Sequence, residues 1–305
     1  MGRALLRLLR QKSSDFPFPV AGIHTRHATA IPPGRSGPPA ASIDEFLDTA
    51  RADIAVELTT LNPFTGEPAT SHIRAAFARG MHVVTANKGP IAHAYAALRD
   101  HAREQRVHFR FESSVMDGAP VFNLVRNNLP GVKLQGFKGV LNSTSKIVVE
   151  AMEHGRSFEE GLAEARHLGI AEADASYDVE GWDSATKTAA LANVLMDAAV
   201  SPQSVNTKGI TRLTVERAQA LKASGKTVRL VSRAHRSISG LSLRARAEVL
   251  DRSDILACVT GSSNLLLLHT DLMGTIGTVS ISPTVDQTAY GLFSDLVDIA
   301  RGTLR

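Results

Sequence analysis

Along the first 120 residues, short apolar runs alternate with amphipathic stretches of helical period. The chain starts "MGRALLRLLRQK", where Ala4, Leu5, Leu8 and Leu9 line one helix face and Arg3, Arg7 and Arg10 another. "PVAGIHT", "DIAVELTTL", "MHVVTANK" and "VHFRFESSV" read as strands, and "AIPPGRSGPPAAS" as a Pro/Gly-rich loop. Between them "SIDEFLDTARA", opening with a capping box from Ser42 to Glu45, "GEPATSHIRAAFARG", closed by Gly80, and "GPIAHAYAALRDHAREQR" read as helices. Strand and helix alternating at this spacing predict βαβ units and a Rossmann-like, doubly wound parallel sheet of the α/β class. In such a sheet a first strand and a glycine-rich turn precede the first helix; here the helix is present and that strand is not.

After about residue 120 the rhythm changes. "GAPVFNLVRNNLPG" reads as a helix, "VKLQGFKGVL" as a strand, and "NSTSKIVVEAMEHG", "SFEEGLAEARHLG" and "GWDSATKTAALANVLMDAA" as helices. Strand-like "KTVRLVSRA", "LSLRARAEV" and "LLLLHTD" follow, and a helix "DQTAYGLFSDLVDIARG" closes the chain. The expected division is a nucleotide-binding domain over 1–120, an inserted α+β domain over 121–284, and a last helix, 285–305, returning to the first domain.

Composition narrows the classes. At 43% hydrophobic and 21% charged residues the chain has enough apolar material for a folded core. The net charge of +4 would permit nucleic-acid binding, but the basic residues are scattered, few aromatics interleave with them and no recognition motif occurs, so no nucleic-acid partner is expected. Cys258 is alone, which excludes an internal disulfide or a Cys-based zinc site and fits a reducing cytoplasm. The longest apolar runs, such as Leu265 to Leu268, fall far below the roughly 18 residues of a membrane span. The Arg-rich, acid-poor start fits a mitochondrial presequence, a membrane-surface helix, or the first helix of a domain that begins upstream of Met1.

Three segments carry candidate chemistry. "LGIAEADASYDVEGWDSATK" holds Glu172, Asp174, Asp178, Glu180, Asp183 and Lys187, and a helix starting near Trp182 places Asp183 and Lys187 on one face. This is either a solvated acidic first turn that complements the helix dipole, or a site whose carboxylates orient an amino group and a hydroxyl while the lysine moves a proton. "VVTANKGP" puts Lys88 at the carboxyl end of a predicted parallel strand, the edge where ligands of open α/β sheets bind, or in a capping loop. "FESSVMDGAPVF" again follows a strand and offers Ser113 and Ser114, with Gly118 allowing close backbone approach.

In this order and at these separations "VVTANKGP", "FESSVMDGAP", "GVLNSTSK" and "LGIAEADASYDVEGWDSATK" resemble the homoserine dehydrogenase family over nearly the whole chain. The resemblance implies reversible reduction of L-aspartate 4-semialdehyde to L-homoserine with NADPH or NADH, on the way to threonine and methionine. It implies that Glu172 and Asp183 bind the amino and hydroxyl ends of the substrate with Asp178 in support, and that Lys187 donates the proton to the aldehyde oxygen. By the same resemblance Lys88 lies between nicotinamide and substrate, Thr144 lines the pocket, and Thr59 and Thr60 stand beside the nicotinamide ribose. Ser113 is counted with the cofactor contacts, and a monovalent cation rests on backbone carbonyls of the segment containing Glu112 and Val115. A homodimer through the second domain's sheet is also implied. The chemistry needs an acid at the oxygen that gains charge, which a lysine supplies if burial and a second cation draw its pKa towards neutrality. "GIHTRH" lacks an acidic ribose contact, so Arg26, with His27, is read as meeting a 2′-phosphate, favouring NADP over NAD.

Some positions depart from the family. Lys146 replaces the usual asparagine, Met116 and Asp117 replace small residues, and Ser282 to Thr284 replace Gly-Ala-Gly. These departures leave open a related amino-acid aldehyde as substrate, or a non-catalytic relic. Gly2 matches the third glycine of GxGxxG, so the expectation is that a strand and the start of the turn, about a dozen residues, precede Met1, written for a valine. The arginines of the opening helix are then a solvated face.

Overall fold

A computed structural model describes residues 1–31 and 36–303; residues 32–35 of the expected Pro/Gly-rich loop lie outside them. Helix α1 (Gly2–Gln11) forms where periodicity predicts it, burying Ala4, Leu5 and Leu9 and leaving Arg3, Arg7 and Arg10 exposed. The expected strand "PVAGIHT" is corrected. Only β1 (Ile23–His24) forms, pairing antiparallel with β2 (Thr29–Ala30), which pairs with β3 (Ser36–Gly37) in a separate ribbon. A strand persists only where a neighbour takes its hydrogen bonds, and here the Thr25 to Ala28 turn supplies one locally, its backbone bond closing at 2.9 Å.

Beyond the ribbon come α2 (Ile43–Ala50), β4 (Ile54–Glu57), α3 (Ala69–Phe77), β5 (His82–Thr85), α4 (Lys88–Glu104) and β6 (Phe109–Arg110). Ser42 caps α2, accepting the Glu45 N–H at 3.1 Å, while the Glu45 carboxylate takes the Ala41 N–H. The three strands form a parallel sheet in the order β4-β5-β6. Strand alternation sends neighbouring valines to opposite layers. Val83 packs with Ile73, Ile91 and Leu98 of α3 and α4, and Val84 with Leu5 and Leu9 of α1 and with Leu292 and Leu296. This is the doubly wound arrangement. β6 is shorter than expected, because the Glu112 N–H goes to the Asp295 carboxylate at 2.8 Å and the chain turns into a 3-10 helix at Glu112–Ser114.

The second half runs α5 (Phe122–Asn128), β7 (Leu134–Val140), α6 (Ser143–Glu153), α7 (Phe158–His167), α8 (Ser176–Val179), α9 (Trp182–Met196), β8 (Asn206–Lys208), α10 (Val215–Ala223), β9 (Lys226–Ser237), β10 (Gly240–Asp251), β11 (Asn264–Thr270), β12 (Thr275–Ser280) and α11 (Val285–Thr303). A mixed sheet is ordered β12-β11-β7-β9-β10-β8. β8, α10 and β12 escape the sequence pattern, being short, or weakly apolar, or on a sheet edge. Ala185, Ala189, Ala190 and Ala192 keep α9 thin enough to lie between α4 and the sheet residues Phe137, Ala234, Leu266 and Leu268. Asn193 of α9 donates to the Ile91 and Ala92 carbonyls of α4 at 3.1 and 3.2 Å. α11 returns to the first half, packing on α1, where Arg7 meets Asp286 at 2.8 Å. Among the described residues no helix is long and apolar enough to cross a membrane.

Candidate active site

Three helix N-termini meet at the seam between the halves: α4 with Lys88 as its first residue, α6 capped by Asn142, and α9 with Asp183 in its first turn. Helix N-termini carry partial positive charge and favour a carboxylate. Asp183, 7% exposed, holds Lys88 Nζ at 3.0 Å on one oxygen and Lys187 Nζ at 3.0 Å on the other. Asn142 Nδ2 donates to Asp178 at 2.6 Å and to Asp183 at 2.9 Å, so one amide bridges the two carboxylates. The Asn142 carbonyl oxygen is occupied by the Ser145 N–H at 2.8 Å, which leaves the amide no freedom to flip.

Lys88 is placed by a second relay. The buried Glu57 carboxylate, ending β4, accepts the Thr59 N–H and the Thr85 hydroxyl, both at 2.7 Å, and also the Thr59 hydroxyl. The Thr85 hydroxyl accepts the Asn87 N–H at 2.9 Å, and Asn87 caps α4 by accepting the Gly89 N–H at 3.0 Å while donating to the Thr59 carbonyl at 3.2 Å.

The electrostatics differ from expectation at Lys187. Burial opposes charge on Asp183, yet Lys187, Lys88 and the Asn142 amide hold its carboxyl well below the usual range. Burial alone would lower Lys187, but Asp183, with Asp117 and Asp178 behind it, raises its pKa. The two lysines do converge, but on a carboxylate between them, which cancels the cation-cation repulsion invoked to draw Lys187 towards neutrality. Burial and the Asp183 charge push Asp178 up, against the hydrogen bonds of Asn142 and Thr144. Lys187 Nζ also donates to the Leu141 carbonyl at 2.6 Å, so one of its three N–H groups is left for an oxygen in the cleft.

Of the sequence-predicted residues, Lys88, Lys187, Asp183, Asp178 and Thr144 come together. Glu172 does not: it is exposed ahead of α8, and no hydrogen bond or ion pair ties it to the cluster. Gly2 starts α1 beside the end of β4, where a Cβ would stand 3.8 Å from Leu58, and Thr59 and Thr60 are exposed just past β4. Ser113 is buried, its hydroxyl donating to the Thr288 carbonyl at 2.7 Å, so it anchors α11. Arg26 is exposed on the ribbon, its Nε donating to His27 at 2.9 Å. The Glu112 carboxylate caps α5, accepting the N–H groups of Val121, Phe122 and Asn123 at 2.5 to 2.9 Å. Lys146 donates to the Ser263 carbonyl. Ser282 donates its N–H to the Ser263 hydroxyl at 3.1 Å, and Thr284 its own to Gln287 at 2.6 Å, so this stretch serves the start of α11.

From the sequence, Asn142, Glu57 and Asn87 have no assigned role, and Asp117 stands only as a departure from the family. Asn142 and Asn87 both precede helices with N-cap spacing, which was the available signal. Asp117 is half-buried at φ +56°, accepts the Thr288 hydroxyl at 3.4 Å, and has its pKa raised by burial in spite of Lys187.

A family model described as homoserine dehydrogenase matches residues 120–297, and one described as homoserine dehydrogenase, NAD binding domain, matches residues 1–112. The chain is 39% identical over 255 residues to the NAD(+)-dependent homoserine dehydrogenase of Pseudomonas canavaninivorans, covering 83% of this chain and 72% of that one. It is 36% identical over 263 residues to the homoserine dehydrogenase of Methanocaldococcus jannaschii, covering 86% and 76%. A solved hyperthermophilic archaeal homoserine dehydrogenase mutant in complex with NADPH superposes with a TM-score of 0.84 at 25% identity, covering 99% of this chain and 94% of that one. With family models matching both halves and these relatives spanning most of the chain, it belongs to the homoserine dehydrogenase family.

Proposed function

We propose that the chain interconverts L-homoserine and L-aspartate 4-semialdehyde with a nicotinamide cofactor, in threonine and methionine synthesis. The observation that carries this reading is Asp183 gripped by Lys88 and Lys187 at 3.0 Å each, beside Asp178. The residues present fit a dinucleotide. α1 opens at the carboxyl edge of the parallel sheet with an uncrowded Gly2, Thr59 and Thr60 are exposed past β4, and Lys88 opens α4. When bound, the nicotinamide supplies the hydride or takes it up.

The chain's own residues do the rest. Asp178 with Thr144, and Glu172 from the exposed turn, take the substrate ammonium. Asp183 and Lys187 hold its oxygen, and Lys187 gives that oxygen a proton as the aldehyde is reduced, with Lys88 fixing the Asp183 carboxylate from the cofactor side. Arg26 and His27 make NADP the preferred form, with NAD also accepted. The relatives differ here, one being named NAD(+)-dependent and another solved with NADPH. The backbone carbonyls of Glu112 and Val115 are assigned to a monovalent cation. A cytoplasmic homodimer through the mixed sheet completes the reading.

The deciding measurement is NADP-dependent oxidation of homoserine set against other hydroxy amino acids, with calorimetry against NADPH. Preference for homoserine is expected. Preference for another amino-acid alcohol, or no heat from a folded sample, would overturn the assignment.

A further inference from the structure

Lys146 is 1% exposed, and the proposed mechanism gives it no part. It is the middle of three contacts along one face of α6, at Ser143, Lys146 and Glu150. The Ser143 hydroxyl donates to the Ser262 carbonyl at 2.9 Å, Lys146 Nζ donates to the Ser263 carbonyl, and Glu150 accepts the Gly261 N–H at 3.1 Å. Successive turns of α6 are thus clamped to residues 261–263, which run into β11. β11 in turn pairs with β7, Leu265 opposite Val140, two residues before Asn142. The clamp therefore closes a ring, from α6 through 261–263, β11 and β7 back to the α6 cap.

The position of that cap matters, because the Asn142 amide reaches both Asp178 and Asp183, and a small roll of α6 would break one of the two bonds. We propose that Lys146 is a positioning residue: by tying α6 to Ser263 it holds Asn142 between Asp178 and Asp183. The functional consequence rests on those two as the substrate carboxylates. Burial, reinforced by Arg229, brings the Lys146 pKa down to about 7 against the pull of Glu150, and both the amine and the ammonium can donate the bond.

The test compares Lys146→Met, which keeps length and loses the donor, with Lys146→Gln, which keeps a donor, in the intact chain. One readout is KM for homoserine, and the other is the pair of Asn142 side-chain amide resonances, assigned by their loss in Asn142→Ala. Lys146→Met should raise KM by on the order of tenfold or more, leave the NADPH Kd unchanged and shift the Asn142 resonances; Lys146→Gln should recover both. Unchanged resonances in a folded Lys146→Met overturn the proposal, as does equal impairment of the two variants, which would mark mere space filling. If Lys146→Met does not fold, Ser143→Ala, which loosens the neighbouring clamp point, must shift the same resonances, and no shift overturns the proposal. A wild-type chain that leaves homoserine untouched refutes the proposed substrate, while the resonances still decide the role of Lys146.

Discussion

Lys187 spends two of its three N–H groups on the Leu141 carbonyl and Asp183, and the third is the one the proposed mechanism uses. Lys187→Ala should lower kcat by about 10²- to 10⁴-fold, the range of a lost general acid, and leave NADPH affinity within about twofold of wild type by calorimetry. Because Asp183 raises the lysine's pKa, the substrate-free site keeps Lys187 charged through neutrality. The kcat/KM profile for aldehyde reduction should then show no Lys187 limb between pH 6 and 9, and a limb there that vanishes in Lys187→Arg would contradict the geometry. Asp183→Asn leaves two largely buried ammonium groups without their shared counter-ion, and denaturant unfolding should show a loss of about 3 kcal/mol.

Among the elements, α6 carries a testable charge. The folded-state pKa of Lys146 lies below the ordinary value of 10.5, at about 7, so between these the unfolded chain binds the extra proton. Stability from this residue therefore rises with pH across that window, and its cost is full below about 7. The Tm difference between wild type and Lys146→Met should move in favour of wild type by several degrees from pH 7 to 10; a flat difference would rule out the burial effect. Capping made much at this scale legible. Ser42 to Glu45 is readable as a local spacing, and the Ser42 cap is made, although the Glu45 carboxylate turns to the Ala41 N–H. "PVAGIHT" was misleading because an apolar run reports burial, whereas a strand also needs a neighbour, and here the neighbour is a two-residue return of the same segment.

At the scale of the molecule, the site exists because α4 and α9 are locked together. Asn193 donates to Ile91, Ala92 and Val200 carbonyls and accepts the Val200 N–H at 2.8 Å. Asn193→Ala should cost about 1–3 kcal/mol in unfolding experiments by removing the only partner of the half-buried Val200 N–H and carbonyl among the described residues and the tie to α4, and should lower kcat although it touches no substrate, since Lys88 and Asp183 ride on the two helices. The sequence alone determined the alternation of strands and helices, the candidates Lys88, Asp183 and Lys187, and the family, because periodicity, caps and motif order are local properties of the chain. Tertiary structure decided that Asn142 would bridge Asp178 and Asp183, that Ser113 would anchor a helix, and that Lys187 would be held charged. Each of these depends on which groups from distant segments share one buried space, where loss of water makes a neighbouring charge or amide decide the outcome.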